Sequence, residues 1–342
     1  MTTMAFLTDP PRFLFFTGKG GVGKTSVACA TAFHLARSGR RVLLVSTDPA
    51  SNVAQVLGVE IGNTITPIAE VPGLSALEID PEQAADDYRE RIIAPVRGLL
   101  PDKEIASITE QLSGSCTTEV ASFNEFTDLL ADPVLTVAYD HVVFDTAPTG
   151  HTIRLLQLPG SWTDFLEAGK GDASCLGPLA GLDKQRAIYA EAVTSLTDPA
   201  KTRLVLVARA QASALAEIDR TYRELADIGI TGEYVVINGV LPAGNDADDL
   251  TRALRERETS ALAEMPATLR DLACDVIELK PCNMVGINAL ARLFSPSPVA
   301  AATSAAESRS FDEQSLARLV DEMERDGHGL IMFMGKGGVG KT

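Results

Sequence analysis

The sequence predicts an α/β fold, a mostly parallel sheet with helices on both faces. Two observations predict it. Brief apolar runs rich in Val, Leu, Ile and Phe recur along the chain, each bounded by Gly, Pro or Asp. Longer stretches with helical spacing lie between them, and that alternation is the pattern of strands connected by crossover helices. The chain has 342 residues and is 45% hydrophobic, enough for a real core in one large or two modest domains.

Taken in order, "RFLFFT" from Arg12 reads as the first buried strand, and the stretch from Lys24 to about Ser38 as the helix after it. "RVLLVST" and "LSALEID" are the next strands, and "PEQAADDYRERIIAPV" the following helix. No clear strand occurs between about Ala84 and Ala131, which reads as a helical insertion between the third and fourth strands. "HVVFDT", "RLVLVA", "EYVVIN" and "DVIEL" complete the set, with helices through "SALAEIDRTYRELADIG" and "DADDLTRALRERETSALAEM". Beyond Phe294 the Pro-, Ala- and Ser-rich "SPSPVAAATSAAESRS" has no apolar period and reads as a linker. "FDEQSLARLVDEMERDGHG" then reads as a helix ending in Gly, and "LIMFM" as a further strand.

The bulk properties exclude several classes. A net charge of −16 argues against a nucleic-acid partner, which needs a basic face. No stretch approaches the roughly 18 apolar residues of a membrane span, and the N-terminus lacks the charge pattern of a secretion signal. The expectation is a cytoplasmic protein. The five cysteines, Cys29, Cys116, Cys175, Cys274 and Cys282, are scattered and form no CxxC, so neither a disulfide scaffold nor a structural zinc site is expected.

The most specific motif is Gly18-Lys19-Gly20-Gly21-Val22-Gly23-Lys24-Thr25, which fits the phosphate-loop pattern G-x-x-x-x-G-K-[ST]. It stands between a strand and a helix, with Ser26 next. Glycines let the backbone curl so that successive N–H groups point at phosphate oxygens. Lys24 adds a point charge against the outer phosphates, and Thr25 offers a hydroxyl to Mg²⁺. The fold is therefore expected to be that of a P-loop NTPase, with ATP and Mg²⁺ as cofactors. Asp48 and Asp145 follow strands, where α/β sheets place their ligands. A carboxylate there can hold Mg²⁺ through water or orient an attacking water; each could also be an ordinary helix cap.

Lys19 is not required by the general loop pattern. It is either a solvated loop lysine or a sign of the deviant loop it resembles. That loop occurs in the dimeric ATPases that include partitioning ATPases, nitrogenase iron protein, tail-anchored-protein targeting ATPases and arsenical pump ATPases. The resemblance implies that Lys19 reaches the nucleotide held by a facing subunit. "STDPASN", "ALEIDPEQA" and "FDTAPTGHTIRLLQLPG" resemble the last two families. "LSGSCTTEVASFNEF" and "GKGDASCLGPLAGLDKQR" resemble the arsenical pump-driving ATPase family. The tail-anchor alternative lacks a Met-rich apolar insertion and a CxxC here.

That resemblance implies soft-metalloid ligation by Cys116 and Cys175, with His151 as a further candidate for As(III) or Sb(III). Read from the residues alone, each cysteine is a small buried hydrophobe. Cys29 reads as core, and Cys274 and Cys282 take the same buried reading. The resemblance also implies that Asn238 reads the adenine and that the loop around Pro281 packs on it; the plain alternative for Asn238 is a strand-end turn residue. It implies a soluble motor that hydrolyses ATP, with Asp48, Lys19 and Lys24 acting on the phosphate. Its expected partners are an integral-membrane arsenite efflux protein at the inner face of the membrane and an arsenic metallochaperone.

GKGGVGKT occurs again at 335–342, after an apolar run like the first. The expected organisation is one ATPase domain at 1–294, with insertions at about 84–131 and 160–190. A linker with one helix at 295–328 follows, and 329–342 begins a second, homologous ATPase domain. The two halves are expected to face each other as a pseudo-dimer, or the fragment to self-associate, and 335–342 to bind nothing without the helix that should follow.

Overall fold

A computed structural model of the chain describes residues 4–47, 53–146, 182–227, 229–230, 232–244, 248–296 and 316–325, and single positions at 327 and 332. Its strands are β1 (Phe13–Thr17), β2 (Val42–Ser46), β3 (Thr66–Pro67), β4 (Leu74–Glu78), β5 (His141–Asp145), β6 (Thr202–Ala208), β7 (Gly232–Val240) and β8 (Ala273–Glu278). They form one eight-stranded sheet in the order β3-β4-β2-β5-β1-β6-β7-β8. All neighbours pair in parallel except β3 and β4. β1 is central, flanked by β5 and β6, so its carboxyl end opens where the chain changes direction across the sheet.

Every residue of β1, β2 and β5 is buried, because both faces of the sheet are covered. Alternate side chains go to opposite faces. On one face Phe15 stacks on Phe144 at 4.4 Å, and Phe126 meets both rings edge-on at 5.9 and 5.4 Å. On the other face Phe6 stands edge-on to Phe16 at 5.8 Å and to Phe294 at 6.0 Å. Phe294 also meets His34 of α1 (Lys24–Arg37).

The helical insertion is longer than expected. It comprises α3 (Pro81–Ile93), α4 (Asp102–Gln111), α5 (Ser115–Ala131) and α6 (Pro133–Ala138), following the short α2 (Val53–Leu57). Asp80 starts α3 by accepting from the amides of Glu82 and Gln83 at 2.9 and 3.2 Å, with Pro81 in the first turn. Asp132 does the same for α6 through Val134 N at 2.7 Å. Among the described side chains α3 and α5 meet through a small apolar cluster, Ala84, Ala85 and Ala121 with Tyr88 against it, and through the Arg91–Glu125 ion pair at 3.4 Å, and no residue of α4 is fully buried. Phe126 joins α5 to the aromatic stack of the sheet, and Leu129 and Leu130 of the same helix are buried in the same core.

The remaining helices are α7 (Leu182–Thr197), α8 (Ala212–Ala226), α9 (Asp249–Ala263), α10 (Ala267–Arg270), α11 (Ile287–Leu290) and α12 (Leu316–Glu324). The expected strands and helices are all present where they are described, but β3 was not expected. It is two residues long, too short to leave an apolar run, and its Pro67 suits an edge. Apart from position 332, the expected strand at 330–334 lies outside the described residues, as do the second loop at 335–342 and most of the linker.

The aromatic contact gives a first prediction. Phe126→Ala should cost about 3 kcal/mol in urea unfolding, the usual range for losing a buried ring. An unchanged midpoint would mean that α5 is held to the sheet by other contacts.

Candidate nucleotide site

The phosphate loop is built on three backbone exceptions. Gly18, Gly21 and Gly23 have φ of 153°, 80° and 92°. At Gly18 a Cβ would lie 2.1 Å from the carbonyl oxygen of Val207 in β6. At Gly23 it would lie 2.2 Å from Nδ2 of Asn238 in β7. Only glycine allows the loop to approach these neighbours so closely. Asn238 then fastens it, its Nδ2 donating to the buried carbonyl of Val22 at 2.8 Å.

α1 begins directly after Gly23, so its first amides and dipole face the loop. Lys24 is 6% exposed, and its Nζ donates to the carbonyl of Lys19 at 3.2 Å. Thr25 and Ser26 follow, both half-buried, Gly20 is half-buried and Gly21 is exposed. A buried ammonium inside a glycine cradle at a helix N-terminus fits the triphosphate of a nucleotide. Lys19 is not simply solvated: its Nζ lies 3.7 Å from Oε2 of Glu217 in α8. Glu217 was not anticipated, because the pair joins residues far apart in sequence.

Three strand ends meet beside the loop. Phe16 pairs with Asp145, and Asp145 with Ser46. The Thr146 hydroxyl donates to Phe16 O at 2.8 Å, and Thr47 N donates to Asp145 O at 3.0 Å. Asp145 is fully buried there. The Thr17 hydroxyl beside it is buried with no hydrogen-bond partner among the described residues. Glu78, at the end of β4, accepts from Ala54 N at 3.0 Å and so ties down the start of α2. Sequence reasoning passed over Glu78, although its strand-end position is the signal that singled out Asp145.

Burial raises the Cys29 thiol well above its ordinary range, and the Asp145 and Glu78 charges push the same way. Cys29 is fully buried in α1, as expected of a core residue. The buried reading of Cys274 and Cys282 is corrected: both are exposed free thiols, Cys274 within β8 and Cys282 beyond its end. β8 is an edge strand of the sheet, so its side chains lack the cover that inner strands receive.

Pro281 is exposed in the segment after β8. That segment folds toward α2, where Gly286 N donates to Val56 O at 2.7 Å. The Lys280 ammonium donates to Ser295 O, and burial lowers its pKa against the opposing pull of Glu278 and Cys282.

Asp48, His151 and Cys175 lie outside the described residues, as does the side chain of Cys116, whose backbone is in the first turn of α5. Thr47, next to Asp48, is pinned to β5 by the bond already given. Among the described residues no group of His, Cys, Asp or Glu could hold a metal ion by itself.

Residues 11–295 match the family model described as anion-transporting ATPase. The chain belongs to that family. It is 60% identical over 341 residues to an arsenical pump-driving ATPase of Escherichia coli, covering 99% of this chain and 58% of the relative. A second protein of that description, from Acidiphilium multivorum, is 59% identical over 346 residues with the same coverage. ATPase GET3 of Meyerozyma guilliermondii is 32% identical over 262 residues, covering 70% of this chain and 75% of the relative. The chain thus spans little more than half the length of the arsenical relatives. Among the described residues no helix is long and apolar enough to cross a membrane.

The Gly23–Asn238 contact can be tested directly. Gly23→Ala should lose about 2 kcal/mol or more, from a strained positive φ and a clash. Combined with Asn238→Ala, the loss should fall short of the sum of the single effects, because the clash is gone. Strict additivity would break the link between the two residues.

Proposed function

We propose that this chain is the ATP-binding, ATP-hydrolysing half of a motor for arsenite or antimonite efflux. The observation that carries the reading is the glycine loop curled against β6 and β7 with Lys24 buried inside it. The loop amides and Lys24 bind and neutralise the phosphates. Lys19 exchanges its contact with Glu217 for the nucleotide of a facing homologous half. The repeated GKGGVGKT and the greater length of the arsenical relatives support such a half. Asp48 orients the attacking water. Thr25 would hold Mg²⁺ directly and Asp145 through water, and the ion supplies charge neutralisation at the outer phosphates.

Asp145 leads directly into the segment that carries His151. In this reading it relays the state of the phosphate to Cys116, Cys175 and His151, which bind As(III) or Sb(III) as soft-ligand cargo. Closure by nucleotide and binding of metalloid then favour each other reciprocally. An integral-membrane efflux protein and an arsenic metallochaperone are the partners implied. A second reading, from the resemblance to the tail-anchored-protein targeting ATPases, is a nucleotide-dependent switch that carries tail-anchored membrane helices.

Two outcomes are expected. Lys24→Ala should abolish MgATP binding in calorimetry; retained affinity would remove the loop assignment. With the facing half supplied, antimonite should stimulate ATP hydrolysis several-fold, and Cys116→Ser or Cys175→Ser should abolish that stimulation. Stimulation by an apolar helix and not by antimonite would favour the switch.

A further inference from the structure

At the carboxyl edge of the sheet, Arg209 and Gly239 form an arrangement that phosphate binding does not use. β7 is irregular there: Asn238 pairs with Ile277 and Val240 with Glu278, and Gly239 between them is bulged out of register. Its φ is 73°. A Cβ on Gly239 would lie 2.3 Å from Nη1 of Arg209, 2.8 Å from Cζ and 3.3 Å from Nη2. The guanidinium therefore fills the space where any other residue would carry its side chain. Bulges of this kind re-aim groups beside active sites.

The position is tied to the loop on two sides. Arg209 directly follows β6, just past Val207, whose carbonyl backs Gly18. Gly239 directly follows Asn238, which holds the Val22 carbonyl. Arg209 is half-buried, and its guanidinium has no hydrogen-bond or ion-pair partner among the described residues. In a chain of net charge −16, a guanidinium with no carboxylate paired to it among the described residues is open to another contact.

We propose that Arg209 is a specificity-determining residue: its guanidinium, held against Gly239, is the platform on which the nucleotide base stacks, favouring purines. This rests on the nucleotide reading of the loop. A guanidinium is planar and stacks on flat π-systems, and Arg209 is half-buried rather than enclosed. The phosphate charge is already met by Lys24 and the α1 amides. One of the two Asn238 N–H donors is committed to the loop, which leaves the other N–H and Oδ1 to meet the edge of a base. A planar surface beside it supplies what the amide alone lacks.

The test is to titrate MgATP, MgUTP and magnesium tripolyphosphate into the parent chain, Arg209→Ala, Arg209→Lys and Lys24→Ala. Arg209→Ala should weaken ATP about tenfold and UTP less, and leave tripolyphosphate within about twofold. Arg209→Lys keeps the charge without the plane and should not restore ATP binding. An equal loss for all three ligands, or full recovery with lysine, would make Arg209 a charge contact and overturn the proposal. So would unchanged ATP affinity in both Arg209 variants. Lys24→Ala reports on the loop separately: if it still binds tripolyphosphate, the nucleotide reading itself is lost.

Discussion

Two absent side chains let the phosphate loop lie on the sheet. Gly18 faces the Val207 carbonyl and Gly23 faces the Asn238 amide at separations that any Cβ would violate. Backbone N–H groups can converge on a small anion only if the chain curls tightly, and the curl here is held from β6 and β7 rather than by the loop alone. The order β5-β1-β6-β7 is what brings those holding groups beside the end of β1. Phosphate recognition is thus a property of the central sheet as much as of the glycine-rich octapeptide.

The same crevice concentrates charge. Lys24 is almost fully buried and Asp145 completely so, and Glu78 stands at the adjoining strand end. Buried charges are tolerated where they are paired or where a ligand will meet them. Their field reaches the thiol of Cys29, which burial and two carboxylates keep protonated. That cysteine is chemically quiet, unlike the exposed thiols of Cys274 and Cys282 near the sheet edge. The contrast follows from position in the sheet, not from anything local to each cysteine.

Much of this was readable from residues. The inner strands are short apolar runs because parallel strands are covered on both faces, and the loop announces itself by spacing. Asp145 was visible as a carboxylate at a strand end. β3 was not, since two residues leave no periodic signal. The true extent of the insertion, from Pro81 to Ala138, was blurred because no residue of α4 is fully buried and the apolar cluster between α3 and α5 is built on alanines. Glu217 and Arg209 were invisible for a different reason. Their roles arise from contacts with Lys19 and Gly239, made across strands, and neither sits in a motif. Exposure of Cys274 likewise depends on β8 being an edge, which only the strand order reveals.

The pairing of β1 has a consequence for how the chain is made. Phe13 pairs with Val142 on one side and Thr202 on the other. A nascent chain therefore exposes its first strand, with Phe13, Phe15 and Phe16, long before either neighbour has left the ribosome. The glycine turn has no wall to rest on until Val207 is synthesised. During that interval an aromatic, unpaired edge is open to wrong partners, and such distant pairing also slows folding once the chain is complete. Cells making this protein should depend on chaperones that shield apolar segments through most of its translation.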